Sequence, residues 1–199
     1  MVAALKEWSV VCRALEDGRQ VILLRKGGVL EYRQGFEIKH ESFWLYPTLE
    51  HQSREFIQPD YVEKMDDLLI GNPSKHVTIK SYAKVERIYE IRNKSFVPML
   101  RRYHIWNDKY VQMRMNYNPT KPLNALLLRV YKLDQPMSLE IMPEWSGCKS
   151  WINIEMPEYV RFLENNGDIN KLESMKPVII DSQFKSITDD INDINEVCR

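Results

Sequence analysis

The sequence predicts an α+β fold: a curled sheet or small β-barrel, with helices packed on its outside and a helical tail at the C-terminus. Three observations predict it. Short strand-like and helix-like segments follow one another along the chain, with no internal repeat and no low-complexity stretch. Residues 123–133 carry Leu126, Leu127, Leu128, Val130 and Tyr131, are apolar on both faces, and so belong in the centre of a sheet. The 199 residues, 44% of them hydrophobic, suffice for one large domain, taken here as 1–166, with an appendage over 167–199.

The elements follow in order. Leu5, Trp8, Val11, Cys12 and Leu15 fall at helical spacing within residues 3–16, and Gly18 supplies a C-terminal cap. Val10-Val11-Cys12 keeps an extended alternative open. Residues 20–25 form a short buried strand, and Lys26-Gly27-Gly28 is its turn, because glycine accepts positive φ. Residues 29–35 are a hairpin arm or loop. Residues 36–40 alternate as a strand, and 43–46 form another, stopped by Pro47.

Asp60 and Glu63 start a helix in a capping-box-like pattern, and Gly71-Asn72-Pro73 ends it near residue 70. Residues 77–91 alternate as one long or broken strand. Helices are expected at 93–103 and 107–115, with Pro119 and Pro122 bounding the next loop. After the 123–133 strand, 137–142 pairs with it, 145–150 turns, and 151–154 is a further strand. Pro157 opens a helix to about residue 163, and Gly167 closes it. In the tail, Ile187, Ile191 and Ile194 keep helical spacing among aspartates, which suits a peripheral amphipathic helix or a partly ordered tail.

Composition narrows the function classes. Lys+Arg and Asp+Glu are equal at 28 each, so bulk basicity gives no argument for a nucleic-acid binder, although a local basic face stays open. Cys12, Cys148 and Cys198 are an odd set without a CxxC, which predicts reduced thiols in a cytoplasmic protein, not a disulfide framework or a zinc site. No signal peptide is expected, and the longest apolar runs are far short of a membrane span. No motif implies a cofactor or a metal.

The candidate site residues concentrate in two stretches, 25–28 and 43–52. Arg25-Lys26-Gly27-Gly28 offers two cations and two backbone N–H groups to a phosphate, without P-loop spacing. The alternative is a hairpin turn with solvated charges. Trp44, Tyr46, Trp106, Trp145 and Trp151 can build a stacking platform for a base, or can simply fill the core. Within a strand, Trp44 and Tyr46 are expected on opposite faces, so that at most one lines a given pocket. His51 can act as a general base or contact a base edge, Gln52 can both donate and accept, and His104 can join them; a structural histidine is the plainer account.

Three weaker patterns complete the set. Glu37-Ile38-Lys39 matches the acid-x-lysine element of many nucleases, and is also common by chance; it would need an upstream acid such as Asp17. Cys148 beside Lys149 is a candidate nucleophile, or a small residue in a tight turn. Arg101, Arg102, Lys109, Arg114 and Arg129 form a positive patch if they gather on one side. Arg129 sits inside the most apolar strand, so it needs a partner, solvent access or a ligand anion.

A resemblance enters on these residues. Glu7-Trp8, Arg25-Lys26-Gly27-Gly28, Phe43-Trp44-Leu45-Tyr46-Pro47-Thr48 with His51-Gln52, His104-Ile105-Trp106, Leu127-Leu128-Arg129-Val130-Tyr131 and Gly147-Cys148-Lys149-Ser150-Trp151 together resemble the uncharacterised family DUF1802 over roughly residues 4–155. Some members of that family adjoin restriction-endonuclease-like domains, which implies a role in DNA restriction or nucleic-acid handling. The order of a helix, a glycine and a strand ending in arginine is similar to PUA-like and ASCH domains, which implies a compact barrel that binds RNA or modified bases.

The resulting expectation is a nucleic-acid or modified-base binding module, linked to restriction, defence or RNA handling. Its candidate residues are Arg25, Lys26, Gly27, Gly28, Trp44, Tyr46, His51, Gln52, His104 and Arg129. Its partners would be DNA or RNA, with a nuclease-type protein or a second copy of the chain. A metal-dependent nuclease component using Glu37 and Lys39, or a protein-interaction scaffold, are the alternatives, and catalysis is left open.

Overall fold

A computed structural model describes residues 2–26, 40–69, 75–91, 96–155 and 176–197. At its centre is a mixed six-stranded sheet in the order β2-β5-β4-β3-β1-β6. The strands are β1 (Val2–Trp8), β2 (Ile22–Arg25), β3 (Ser42–Thr48), β4 (His76–Ile91), β5 (Leu123–Glu140) and β6 (Trp151–Ile154). β1 and β3 run parallel, and every other neighbouring pair is antiparallel. β2 and β6 lie at the two edges, so the described strands form an open sheet and not a closed barrel. Helices α1 (Ser9–Glu16), α2 (Pro59–Leu69), α3 (Phe96–Met99), α4 (Asp108–Asn116) and α5 (Asp181–Val197) complete the α+β architecture the sequence predicts.

β5 lies inside the sheet, between β2 and β4, as its doubly apolar pattern requires. Leu126, Leu127 and Leu128 are all buried. Its pairing with β4 shifts register between Ile79 and Ser81, and again between Val85 and Arg87. Such irregularities bend a strand and increase its twist. At the first shift the ladder passes from Met137 to Lys132, so Pro136 falls in a stretch that needs no N–H donor. The two strands expected at 123–133 and 137–142 are therefore one strand with an interruption.

Several local expectations are corrected. Residues 3–16 are not one helix but β1 followed by α1. Ala4 and Leu5 are both buried yet belong to different apolar clusters, which is the alternation of a strand. Val11, Cys12 and Leu15 do form the buried face of a helix, and Gly18, at φ +68°, follows its end as expected. Pro47 does not stop β3, because it sits opposite Glu7 within the parallel pairing. In the described part of the helix expected over 93–103, α3 is followed by a 3-10 turn at Arg101–Tyr103. The expected strand at 36–40 (residues 36–39) and the helix at 157–163 lie outside the described residues.

The apolar residues form two clusters on the two faces of the sheet. The larger holds Leu5, Phe43 and Leu45 together with α1, β2 and β5. The smaller holds Ala4, Trp44, Tyr46, Trp145, Ile152 and Ile154. Trp44 and Tyr46 therefore share a face, contrary to the expectation. Residues two apart in a strand point the same way, and it is Phe43 and Leu45 that face the other side.

The tail forms α5 and packs on the domain. Ile191 and Ile194 are buried. Asp190 accepts hydrogen bonds from the Arg102 guanidinium and the Tyr103 hydroxyl. Asn192 Oδ1 accepts from Arg87 Nη1 at 2.7 Å and from the Tyr89 hydroxyl at 2.8 Å. Ahead of the helix, the Val178 N–H donates to the Val130 carbonyl at 2.9 Å. Among the described residues, no helix is long and apolar enough to cross a membrane.

Candidate nucleic-acid interface

β1, β2 and β3 bring three of the candidate residues to one end of the sheet. Glu7, at the end of β1, is buried. Its Oε1 accepts from the Trp8 N–H at 2.9 Å, and its Oε2 lies 3.6 Å from Arg25 Nη2. The same Nη2 donates to the Lys6 carbonyl at 3.0 Å. Lys26 is buried too, and its ammonium donates to the Met115 carbonyl at the end of α4, at 2.7 Å. Gln52 Oε1 accepts from the Val10 N–H at 3.0 Å, satisfying an amide in the first turn of α1. The Gln52 Nε2 is buried with no hydrogen-bond partner among the described residues.

Aromatic rings back this polar cluster. Trp8 stacks on Phe56 with 6.4 Å between centroids, and Trp106 lies nearly parallel to Tyr110 at 5.0 Å. The Arg114 guanidinium sits 6.0 Å from the Tyr110 centroid. Burial pushes the Tyr110 hydroxyl up in pKa; Arg114 and Arg25 pull it down and Glu7 adds to the rise.

A second feature was not visible in the sequence. Arg19, Lys64, Lys132 and Lys176 converge on an open cleft of about 580 Å³, together with Glu16, Asp17, Pro177 and Val178. They come from the end of α1, from α2, from β5 and from the segment before α5, so no sequence spacing links them. Two acids share the cleft with the four cations. Glu16 is buried, accepts from Ser81 Oγ at 2.9 Å, and has its pKa raised by that burial. Asp17 pairs with Arg13 at 3.0 Å and, more loosely, with Lys132 at 3.9 Å, so the cleft keeps an excess of cations in which Lys132 is already partly paired.

The positive patch considered from the sequence is largely neutralised. Arg101 pairs with Asp108 at 3.4 Å and Lys109 with Glu55 at 2.6 Å. Arg102 pairs with Asp190, and Arg129 with Asp181. Arg129 also lies over the Phe184 ring, 4.6 Å from its centroid. The buried arginine of the apolar strand thus has a partner, and that partner opens α5.

The family model described as a domain of unknown function, DUF1802, matches residues 4–190. The chain belongs to that family. The match runs past residue 155, where the resemblance in the sequence stops, and takes in most of α5. No curated protein matches this DUF1802 chain. Among solved structures it is similar to the ASCH protein of Zymomonas mobilis, at 15% identity and TM-score 0.46, over 81% of this chain and 93% of that one. Two single-substitution mutants of the same protein match at 14% identity, with TM-scores of 0.47 and 0.44. They cover 82% and 81% of this chain and 94% and 96% of theirs.

The remaining candidate residues of this DUF1802 chain fall in different places. Trp44 is 1% exposed and meets Tyr82 edge-on at 5.2 Å, and Tyr46 meets Trp145 edge-on at 5.8 Å. Neither ring has a face open to a base. His104 is 3% exposed beside Trp106, and burial lowers its pKa to about 4. His51 is exposed, stands at φ +60°, and its Nε2 lies 3.6 Å from Cys148 Sγ. Gly27, Gly28, Glu37 and Lys39 lie outside the described residues.

Proposed function

We propose that the protein is a nucleic-acid binding module that holds backbone phosphates in the cleft of Arg19, Lys64, Lys132 and Lys176. The carrying observation is that these four cations converge in a chain whose net charge is zero. A binder that tracks a phosphate backbone needs such a local footprint, whatever the overall charge. α1 has eight residues and so spans about 12 Å, with the cleft at its C-terminal end and Gln52 at its N-terminal end. The exposed His51 would contact a base edge, in a frame set by Gln52, Arg25 and Lys26. Restriction, defence or RNA handling is the setting that accompanies this reading, in the cytoplasm and beside a nuclease-type partner or a second copy.

The test is fluorescence anisotropy with short single- and double-stranded RNA and DNA across roughly 50–200 mM salt. Each phosphate contact on a single strand contributes about −0.7 to the slope of log K against log salt. Reversing two cations, as Lys64→Glu with Lys132→Glu, should reduce that slope by about 1.4 and weaken binding to every sequence alike. Absence of binding to all four nucleic acids at low salt would overturn the proposal. A parallel arm with Mg²⁺ reads out cleavage, the outcome expected if Glu37 and Lys39 form a nuclease site instead.

A further inference from the structure

Two loops from distant parts of the sequence meet at a cysteine and a histidine. Cys148 is exposed at the apex of a tight turn that the Lys149 N–H closes onto the Gly147 carbonyl at 2.8 Å. His51 Nε2 lies 3.6 Å from its sulfur, within hydrogen-bond range for a thiol. His51 is held at φ +60°, a left-handed conformation that a residue with a side chain rarely adopts. Strain of this kind persists only where the surroundings over-determine it, and it gathers at functional sites.

The surroundings here are a built frame centred on Lys6. Its ammonium, buried under the loops, donates to the Trp145 carbonyl at 2.7 Å and to the Gly147 carbonyl at 3.0 Å. It also pairs with the Glu50 carboxylate at 2.9 Å, next to His51 in sequence. The Lys6 N–H donates to the Ser150 carbonyl at 2.9 Å. One residue of β1 therefore fastens both loops and sets the distance between thiol and imidazole. Lys149 donates to the Glu144 carbonyl at 2.7 Å, so its charge is held on the same loop as the sulfur.

We propose that Cys148 is a reactive thiol, with His51 as its proton acceptor, that exchanges with low-molecular-weight disulfides. With its own proton on Nδ1, His51 receives the thiol proton at Nε2. The Cys148 sulfur attacks one sulfur of the disulfide; that S–S bond breaks and a new one forms to Cys148. The departing thiolate takes the proton from His51 and leaves as a thiol. The disulfide is the oxidant, and no further electrons are needed. This chemistry requires a thiol, a proton acceptor beside it and open access, all present at the exposed apex, whereas acyl transfer would also require donors aimed at an oxyanion.

The test uses the full chain carrying Cys198→Ser, oxidised glutathione as the probe near neutral pH, and peptide mass mapping. Cys12 serves as an internal control: it is buried, and that burial, with Glu7 and Glu16 nearby, pushes its thiol well above its ordinary range. Cys148 should form the mixed disulfide roughly tenfold faster than N-acetylcysteine, because His51 accepts the thiol proton as the sulfur attacks. His51→Asn, chosen because asparagine tolerates left-handed φ, should bring the rate down to that of the model thiol and change the shape of its pH profile. A Cys148 that reacts no faster than N-acetylcysteine, or equally fast in His51→Asn, would overturn the proposal. Should His51→Asn fail to fold, the rate-against-pH curve of the parent chain decides, since a curve superimposable on that of N-acetylcysteine has the same consequence.

Discussion

Acid should weaken this fold through His104, and by an amount the structure lets one work out. The imidazole is buried, and neither ring nitrogen has a hydrogen-bond partner among the described residues. Burial disfavours the charged form and lowers the pKa from 6.5 to about 4; the Trp106 backbone and Asp108 oppose the shift without reversing it. In the unfolded chain His104 titrates near 6.5. Between those two values the unfolded state holds a proton that the folded state does not, so stability rises with pH across this window. The contribution is fully present above about pH 6.5 and is lost as pH falls to about 4. The gap corresponds to about 3 kcal/mol.

The clean comparison is with His104→Phe, because every other titrating group cancels in the difference. Phenylalanine keeps a flat ring beside Trp106 and removes two buried nitrogens that have no partner, so near pH 7.5 the variant should match the parent within about 1 kcal/mol. Urea unfolding followed from about pH 7.5 to about pH 4 should then show the variant gaining relative stability by about 1.4 kcal/mol per pH unit below 6.5. A difference that stays constant across the window would refute the reasoning, because it would mean that His104 is charged in the folded state or accessible to water.

Two further outcomes follow from the packing. Gly18→Ala should lose about 1–2 kcal/mol in thermal or urea unfolding: the residue sits at φ +68°, and a Cβ there would stand 3.3 Å from Ile179 Cγ1 in the segment leading to α5. Trp44→Ala should lose about 3–5 kcal/mol by opening the smaller core, with nucleic-acid affinity per folded molecule unchanged; a selective loss of affinity in a fully stable variant would restore Trp44 as a stacking residue.

Some of this protein was determined by the sequence alone, because the relevant physics is local. The doubly apolar run at Leu126, Leu127 and Leu128 can be satisfied only inside a sheet, and β5 is found there. Gly18 and the helical spacing of Ile187, Ile191 and Ile194 were legible for the same reason, since capping and periodicity act over a few residues. The same locality explains the failure at residues 3–16. Leu5, Trp8, Val11, Cys12 and Leu15 fit a helical period, yet β1 is recruited as a strand by pairing with β3 and β6, and that pairing is invisible within the segment itself.

The candidate sites were decided by the tertiary structure. Arg25, Lys26 and Gln52 were singled out by type, but only the convergence of β1, β2 and α1 brings them to one end of the sheet. Arg129 stood out as a cation in an apolar strand, and only the docking of α5 supplies Asp181 and Phe184 as its neighbours. The cleft of Arg19, Lys64, Lys132 and Lys176, and the contact between His51 and Cys148, join residues from separate elements with no shared spacing. Charge and chemistry at such places depend on distances in space, and chain connectivity sets those distances only after the whole sheet has formed.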